Sequence, residues 1–379
     1  MISGRVLNVV TLASATGKYG GPYDTSLRQT VLASGIGFDC VLFSGFLEGD
    51  EPIPDTNDAA VRIAFHPVRR VLPLPGFMGL HSLRALKALA IEVWKSEVTH
   101  VSVARELIPI SAVVFTLILR KRLVVQTHGM MTSRTSMGHK AVDFFLRPLL
   151  RRAHVTVALT SVEATDLVTW FGDERQKIKI LGNPLPLDLK IPLTRTLPKG
   201  DVLFIARLHP RKRVDLFVDA AAVARAKGWE EKYAVVGPDE GDLSVVTRAI
   251  ERAENLSYEG TLTSSGVTAR VAACDVFVLP SEREPWGNVL AIAIACEKPV
   301  VVPESAALAE KVRRYKAGIV VPDNDSSAIA NAVHFLLSRP KEYAAASEGA
   351  AAFRESELSH SQQERAFREL YGTRTSTLN

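Results

Sequence analysis

The chain has 379 residues, 47% hydrophobic and 23% charged, with a formal net charge of +5. That length allows two domains with separate cores, and the composition is that of an ordinary globular protein. The positive balance is too small to argue for nucleic acid and fits anionic ligands or an anionic membrane surface.

The N-terminal run MISGRVLNVVTLAS reads as a first strand and is too short for a signal peptide. RVLNVVTLA, DCVLFSG, THVSVA and RLVVQTH are apolar, β-branched runs separated by helical patterns, and KIKILGN, DVLFIAR, YAVVGP, VFVLP and PVVVP repeat the scheme later. Such alternation predicts βαβ units and parallel sheets covered on both faces. The stretch from Leu107 to Leu119 is the longest apolar one and falls short of the roughly 20 residues of a membrane helix. The proline-rich segment 184–201 has no helical period and reads as a linker. Two α/β, doubly wound domains follow, over residues 1–190 and 200–355, with a helix over 356–372 that can cross back to the first. The tail TRTSTLN is expected to fray. Cys40, Cys274 and Cys296 have neither metal-ligand nor redox spacing, and the expected compartment is the cytoplasm.

Candidate chemistry lies at strand ends. After the first strand come Gly17, Gly20 and Gly21, ahead of a helical pattern; a phosphate contact and a plain strand-to-helix turn both satisfy that pattern. From Arg120 to Arg152 the chain is strongly basic against Asp143 alone, and KAVDFFLRPLLRRA mixes Phe144, Phe145, Leu146, Leu149 and Leu150 with cations. It reads either as an interfacial helix facing anionic lipid or as a surface helix with its apolar side in the core. His128 follows a buried-looking strand, where an open α/β sheet places ligands; taken alone, it reads as a structural histidine. In ARLHPRKR, Arg207 is expected to end a strand and Lys212 to open a helix, with His209, Arg211 and Arg213 around them. A lysine at a helix start opposes the helix dipole, so the cluster suits a diphosphate, and a solvated basic loop satisfies the same pattern.

In PSEREPWGNVLAIAIACEKPVV, an acid, a proline, a tryptophan and a glycine form a turn ahead of a helix that is apolar almost all round. Glu284 can accept hydrogen bonds from sugar hydroxyls. The amides of Gly287, Asn288, Val289 and Leu290, at the helix start, suit a phosphate oxygen.

Taken in order, the glycine loop, THG at 127–129, ARLHPRK at 206–212 and PSEREPWG at 280–287 resemble the motifs of the family 4 retaining glycosyltransferases. Alanine replaces a glycine at position 206, and GNPLP at 182–186 and SYEGTL at 257–262 add to the likeness. The resemblance implies the GT-B fold, two Rossmann-like domains facing across a cleft. It implies that Glu284 contacts the donor sugar, that His128 lies beside the transferred sugar, and that Arg207 and Lys212 neutralise the departing diphosphate. It implies a UDP- or GDP-linked donor, no metal and a glycan or lipid-linked acceptor in surface polysaccharide or glycolipid assembly. Peripheral contact with the inner face of a membrane fits the same picture.

One position departs from the pattern. Eight residues after Glu284 the family carries a second acid that holds the nucleotide ribose; here it is Ile292. Glu297, where the family has glycine, lies about 7.5 Å and 140° away on an ideal helix. Losing a charged hydrogen bond costs about 1.5–3 kcal/mol, roughly ten- to a hundredfold in affinity. Three readings follow: the ribose is held by another group, the donor is unusual or weakly bound, or the chain is a degenerate, non-catalytic partner or regulator. An epimerase or phosphorylase on the same fold is a further rival. A dinucleotide oxidoreductase is disfavoured because no GxGxxG opens either half.

Overall fold

The structure is a computed structural model and describes residues 4–13, 21–48, 61–72, 76–131, 137–186, 189 and 198–372. Most of the proline-rich segment and the tail TRTSTLN lie outside the described residues. The chain divides into two compact units, Met1–Pro184 with His360–Asn379, and Leu185–Ser359.

In chain order the first unit comprises β1 (Arg5–Leu12), α1 (Gly21–Gly35), β2 (Asp39–Leu47), β3 (Arg62–Arg70), β4 (Leu80–His81), α2 (Leu83–Lys95), β5 (Val98–Ser102), α3 (Leu107–Ile118), β6 (Arg122–Gln126), α4 (Met137–Leu150), β7 (Val155–Ala158), α5 (Ser161–Phe171) and β8 (Ile178–Ile180). Among the described residues they form one eight-stranded sheet in the order β4-β3-β2-β1-β5-β6-β7-β8. The direction of winding reverses between β1 and β5, which pair in parallel. The sheet departs from the expected all-parallel pattern at one edge. β4 runs antiparallel to β3, with Arg69 opposite His81, because the connection over 71–79 is too short for a parallel crossover. β3 escaped the sequence reading because Pro67 interrupts it. β4 pairs only with Arg69 and Arg70, so Pro67 sits where that flank of the strand is open and a missing N–H costs little.

Alternating strand residues serve two cores. Leu7, Val9, Val101 and Val125 pack with α2, α3, α4 and α5, whereas Val6, Val98, Val124 and Val157 pack with α1 on the opposite face. The latter core is closed by the last helix, α13 (His360–Tyr371), whose Phe367, Leu370 and Tyr371 are buried there.

The second unit runs β9 (Asp201–Ile205), α6 (Val214–Ala226), β10 (Lys232–Val236), α7 (Leu243–Ile250), β11 (Leu256–Tyr258), α8 (Ser264–Ala273), β12 (Val276–Val278), α9 (Asn288–Ala295), β13 (Val300–Pro303), α10 (Ala309–Tyr315), β14 (Gly318–Val321), α11 (Ser326–Leu337) and α12 (Pro340–Phe353). Its strands are all parallel, in the order β11-β10-β9-β12-β13-β14, and the winding reverses between β9 and β12. α9 is buried from Leu290 to Ala295, as its apolar circumference requires. Among the described residues no helix is long and apolar enough to cross a membrane.

Candidate functional site

In the second unit the motif residues gather at the carboxyl edge of the sheet, beside its point of reversal. Arg207 stands two residues beyond β9, rather than ending it, and Lys212 does not open α6. Lys212 closes a short 3-10 turn, Pro210–Lys212, and Arg213 then takes a left-handed conformation at φ 54° before α6 begins at Val214. The 3-10 turn starts on His209, whose ring accepts from the Arg211 amide. This break aims the lysine across the edge instead of along the α6 axis. The Arg213 guanidinium binds Asp215 at 2.8 Å and donates to the Asn324 side chain, which secures the break.

The turn 280–287 meets this loop. The amide of Glu282 donates to the Arg211 carbonyl at 3.1 Å, and Lys212 donates to the Glu284 carboxylate. Glu284 is only 7% exposed, and its carbonyl accepts from the Ala307 amide at 3.0 Å. Gly287 ends the turn at φ 74°, and a Cβ there would meet Leu279 and Leu290 at 3.1 Å and Glu284 Cγ at 3.3 Å. Glycine is therefore required both by conformation and by space. α9 starts here with no side-chain cap, which leaves the first-turn positions Asn288, Val289 and Leu290 next to Glu284 and Lys212. Ser281 Oγ and Trp286 Nε1, both buried in this turn, have no hydrogen-bond partner among the described residues.

Arg207 is engaged differently. Its Nη1 donates to both oxygens of Glu240 at 2.9 Å, in the loop after β10. The pair is largely solvated, with the Arg207 side chain 48% exposed, so it is worth about 0–1 kcal/mol and releases readily to a more charged partner. Ile292 is 4% exposed within the core of α9. Glu297 does not replace it: Arg354 holds Glu297 at 2.9 Å, and Glu297 sits at φ 59° just past the end of α9, where glycine is the usual residue.

In the first unit, Gly20 lies outside the described residues and Gly21 is the first residue of α1. His128 follows β6 with φ 48°, and Gly129 follows at φ 73°. A bulky residue held in the left-handed region is a strained one that its surroundings must fix. Three groups do so. Glu163 accepts from the Gly129 amide at 2.5 Å, from the Leu159 amide at 2.7 Å and from the Thr127 hydroxyl. Ser102 Oγ lies 3.1 Å from His128 Nε2 and 3.0 Å from Ser26 Oγ on α1. The side chain of Asn183 bonds the same imidazole. Desolvation pushes the His128 pKa down to about 4, so the ring is neutral at pH 7.

Lys212, Glu284 and the start of α9 are thus brought together, Arg207 shares their loop but holds Glu240, and His128 belongs to the other unit. Sequence reading missed Glu240, for which no signal existed, and Glu163, for which one did. Thr160-Ser-Val-Glu163 is a capping box: Thr160 accepts from the Glu163 amide at 3.2 Å, but the glutamate reaches back to Leu159 and across to the histidine loop. Ser26 and Ser102 had no pattern to reveal them, because their meeting is 76 residues apart in sequence.

Two doubly wound domains with these motifs in this order are those of the GT-B class. The pattern described as "Glycosyltransferase Family 4" matches residues 34–189, and that described as "Glycosyl transferases group 1" matches residues 199–339. Between them they cover most of the chain, which belongs to this glycosyltransferase family. The chain is 28% identical over 204 residues to D-inositol 3-phosphate glycosyltransferase 2 of Catenulispora acidiphila, covering 48% of each. It is 25% identical over 228 residues to the putative colanic acid biosynthesis glycosyltransferase WcaL of Escherichia coli, covering 56% of this chain and 54% of that one. The alignments therefore span about half the length of these curated relatives. Among solved structures, Anabaena Alr3699/HepE in complex with UDP and glucose superposes with a TM-score of 0.75 at 17% identity, covering 97% of this chain and 98% of that one. Sucrose-phosphate synthase from Thermosynechococcus elongatus gives 0.73 at 16% identity, covering 97% and 98%.

Proposed function

We propose that the chain transfers a sugar from a nucleoside diphosphate sugar to a hydroxyl acceptor with retention of anomeric configuration and without a metal. The observation that carries this reading is the contact of Lys212 with the buried Glu284 at the uncapped start of α9. A cation, a carboxylate and first-turn amides in one place match a donor made of a diphosphate joined to a polyhydroxylated ring. Glu284 accepts from hydroxyls of the sugar. Lys212 and the α9 amides take the diphosphate, and Arg207 exchanges Glu240 for it. As the bond from the anomeric carbon to the diphosphate oxygen breaks, negative charge grows on that oxygen, where these cations lower its energy. The acceptor oxygen bonds the same carbon on the same face, and its proton leaves with the diphosphate.

UDP is the donor nucleotide we favour, since the named neighbours include complexes with UDP and UDP-glucose. The acceptor is a polyhydroxylated molecule, as the printed names of the inositol phosphate and colanic acid relatives suggest. Surface polysaccharide or glycolipid assembly at the cytoplasmic face of a membrane is the setting. α4 supports that setting: Phe144 and Phe145 are 76% and 69% exposed beside Lys140, while Leu146 and Leu150 are buried.

Titration calorimetry with UDP and GDP, followed by NMR of the anomeric product, tests the proposal. Glu284→Ala and Lys212→Ala should each lower transfer more than a hundredfold with the fold retained, and full activity in either contradicts the site. Chelation with EDTA should leave the rate unchanged. The second reading, a non-catalytic GT-B protein, is favoured by Ile292, and failure of the wild type to bind either nucleotide would support it.

A further inference from the structure

The face of the first sheet that meets α1 and α13 changes character along its strands. At their amino ends it is apolar, with Val6, Val98 and Val124 in the core. Two residues further along each strand, on the same face, stand Asn8, His100 and Gln126, and Ser102 follows His100. All four are buried, with Gln126 fully so. α1 answers with Ser26 and Gln29, also buried. Amides and hydroxyls cost free energy in a core unless they are hydrogen-bonded, so a layer of them in place of aliphatic packing calls for a reason.

The hydrogen bonds of this layer run toward one ring. Gln29 Nε2 donates to Gln126 Oε1 at 2.8 Å, and Gln126 Nε2 donates to Asn183 Oδ1 at 3.5 Å, the longest link. The side chain of Asn183, itself buried, bonds the His128 imidazole. The order of the row sets its polarity, because an amide shows donors at one end and an acceptor at the other. Gln29 gives its NH2 group to Gln126, Gln126 gives its own to Asn183, and Asn183 therefore presents its oxygen. Desolvation lowers the His128 pKa most, and the Asn183 bond works against it, as an oxygen accepting from the ring N–H does. The backbone beside Asn183 is tied down as well: Gln363 on α13 donates to the Gly182 carbonyl at 3.2 Å, and the Leu181 amide to the Ala158 carbonyl at 2.8 Å. Ser102, on the Nε2 side of the ring, can donate or accept and so fits either tautomer. The end of Asn183 that meets the neutral ring decides which nitrogen holds its single proton.

We propose that Gln126 and Asn183 are positioning residues of the transfer reaction, the amide row Gln29–Gln126–Asn183 holding His128 in one tautomer and one orientation. Their role in transfer rests on the glycosyltransferase reading, in which the motif resemblance puts His128 beside the transferred sugar. The tautomer itself is a property of the first unit alone. A neutral imidazole donates at one nitrogen and accepts at the other, so a sugar hydroxyl that meets the wrong tautomer loses its partner. Correct tautomer and aim are what a reacting complex needs fixed in advance.

The test uses the full chain with isotope-labelled histidine. Long-range proton–nitrogen NMR spectra report the tautomer of each neutral imidazole, and His128→Gln identifies the signals of His128. The wild type should show one tautomer at this ring. Gln126→Leu and Asn183→Leu remove the direction of the row, and both tautomers should then appear. Gln29→Leu, farthest from the ring, should do the same and carries the test if either of the others melts early. Turnover of UDP-glucose with water as acceptor, read as released UDP, should fall about tenfold in kcat in these variants, with KM within about threefold. Side chains that merely filled the core would change melting temperature and leave the tautomer as it was. An unchanged single tautomer in all three variants overturns the proposal, and so does a mixed tautomer with the kcat of the wild type. A wild type that releases no UDP counts against the donor reading instead, and the spectra then decide by themselves whether the amide row sets the ring.

Discussion

Lys212 and Glu284 differ in what their removal exposes. Taking away Lys212 leaves a carboxylate that is 7% exposed without its cation, a loss of about 1–3 kcal/mol. Lys212→Ala should therefore melt at a lower temperature than the double variant Lys212→Ala/Glu284→Gln, and equal melting points would mean that the pair is better solvated than its burial indicates. Glu240 is the opposite case. Its pair with Arg207 is mostly solvated, so Glu240→Gln should leave stability unchanged and tighten UDP binding up to about fivefold by freeing the guanidinium. Calorimetry reads both. His128 and His100 give the first unit a pH signature. Burial lowers their pKa values to about 4 and about 3, whereas an unfolded histidine titrates near 6.5. Between those values the unfolded chain binds more protons, so stability should fall as pH drops below about 6.5, by on the order of 3 kcal/mol from His128 at pH 4. Denaturant melts of wild type and His128→Gln between pH 7 and 4.5 should converge as the pH is lowered.

At the scale of elements, α4 is two-sided. Asp143 faces inward, where Arg105 binds it at 2.7 Å and Trp170 Nε1 donates to it at 3.2 Å, while the adjacent Phe144 and Phe145 face outward and pack edge to face at 5.3 Å. Replacing both phenylalanines by serine should abolish sedimentation with vesicles containing phosphatidylglycerol and leave unfolding free energy within about 0.5 kcal/mol, since exposed side chains contribute little to the core. The basic run was plain in the sequence, but not its division. Whether 143 or 144 points inward depends on which stripe of the helix meets α3 and α5. The sequence pattern at α9 was clearer: a helix apolar all round has to be buried. It follows that an acid placed at 292 enters a site 4% exposed. Ile292→Glu should lower stability by several kcal/mol, a cost set by the unpaired carboxyl, and so can mask any gain in ribose contact. Strand β3, next to the edge strand β4, was invisible because His66, Pro67 and the arginines at its ends break the apolar run that marked the other strands.

For the whole molecule, the last helix is the decisive long-range element. Phe367, Leu370 and Tyr371 fill the core between α1 and the sheet, and Tyr371 Oη meets His100 Nδ1 at 2.6 Å. Ending the chain at Ser359 removes these three buried hydrophobic side chains, each worth about 2–5 kcal/mol, together with the buried Gln363. Hydrogen exchange should then show loss of protection across β1, β5 and β6 with protection retained in β9, β10 and β12, because the second unit has its own core. Uniform loss in both units would contradict the division at 184 and 359–360.

The sequence by itself determined the class of fold, the order of the motifs and the burial of α9, because apolar runs and glycine turns act locally and leave a local trace. Lys212 and Glu284 were legible as candidates for the same reason, each standing in a turn next to a strand. What only tertiary structure decided is which charges meet. Arg207 turned to Glu240, Glu297 to Arg354, Glu163 to the histidine loop and Thr11 to Glu106, over separations of 33 to 95 residues. A side-chain hydrogen bond of that kind depends on two loops arriving at one sheet edge, and neither loop alone carries the information.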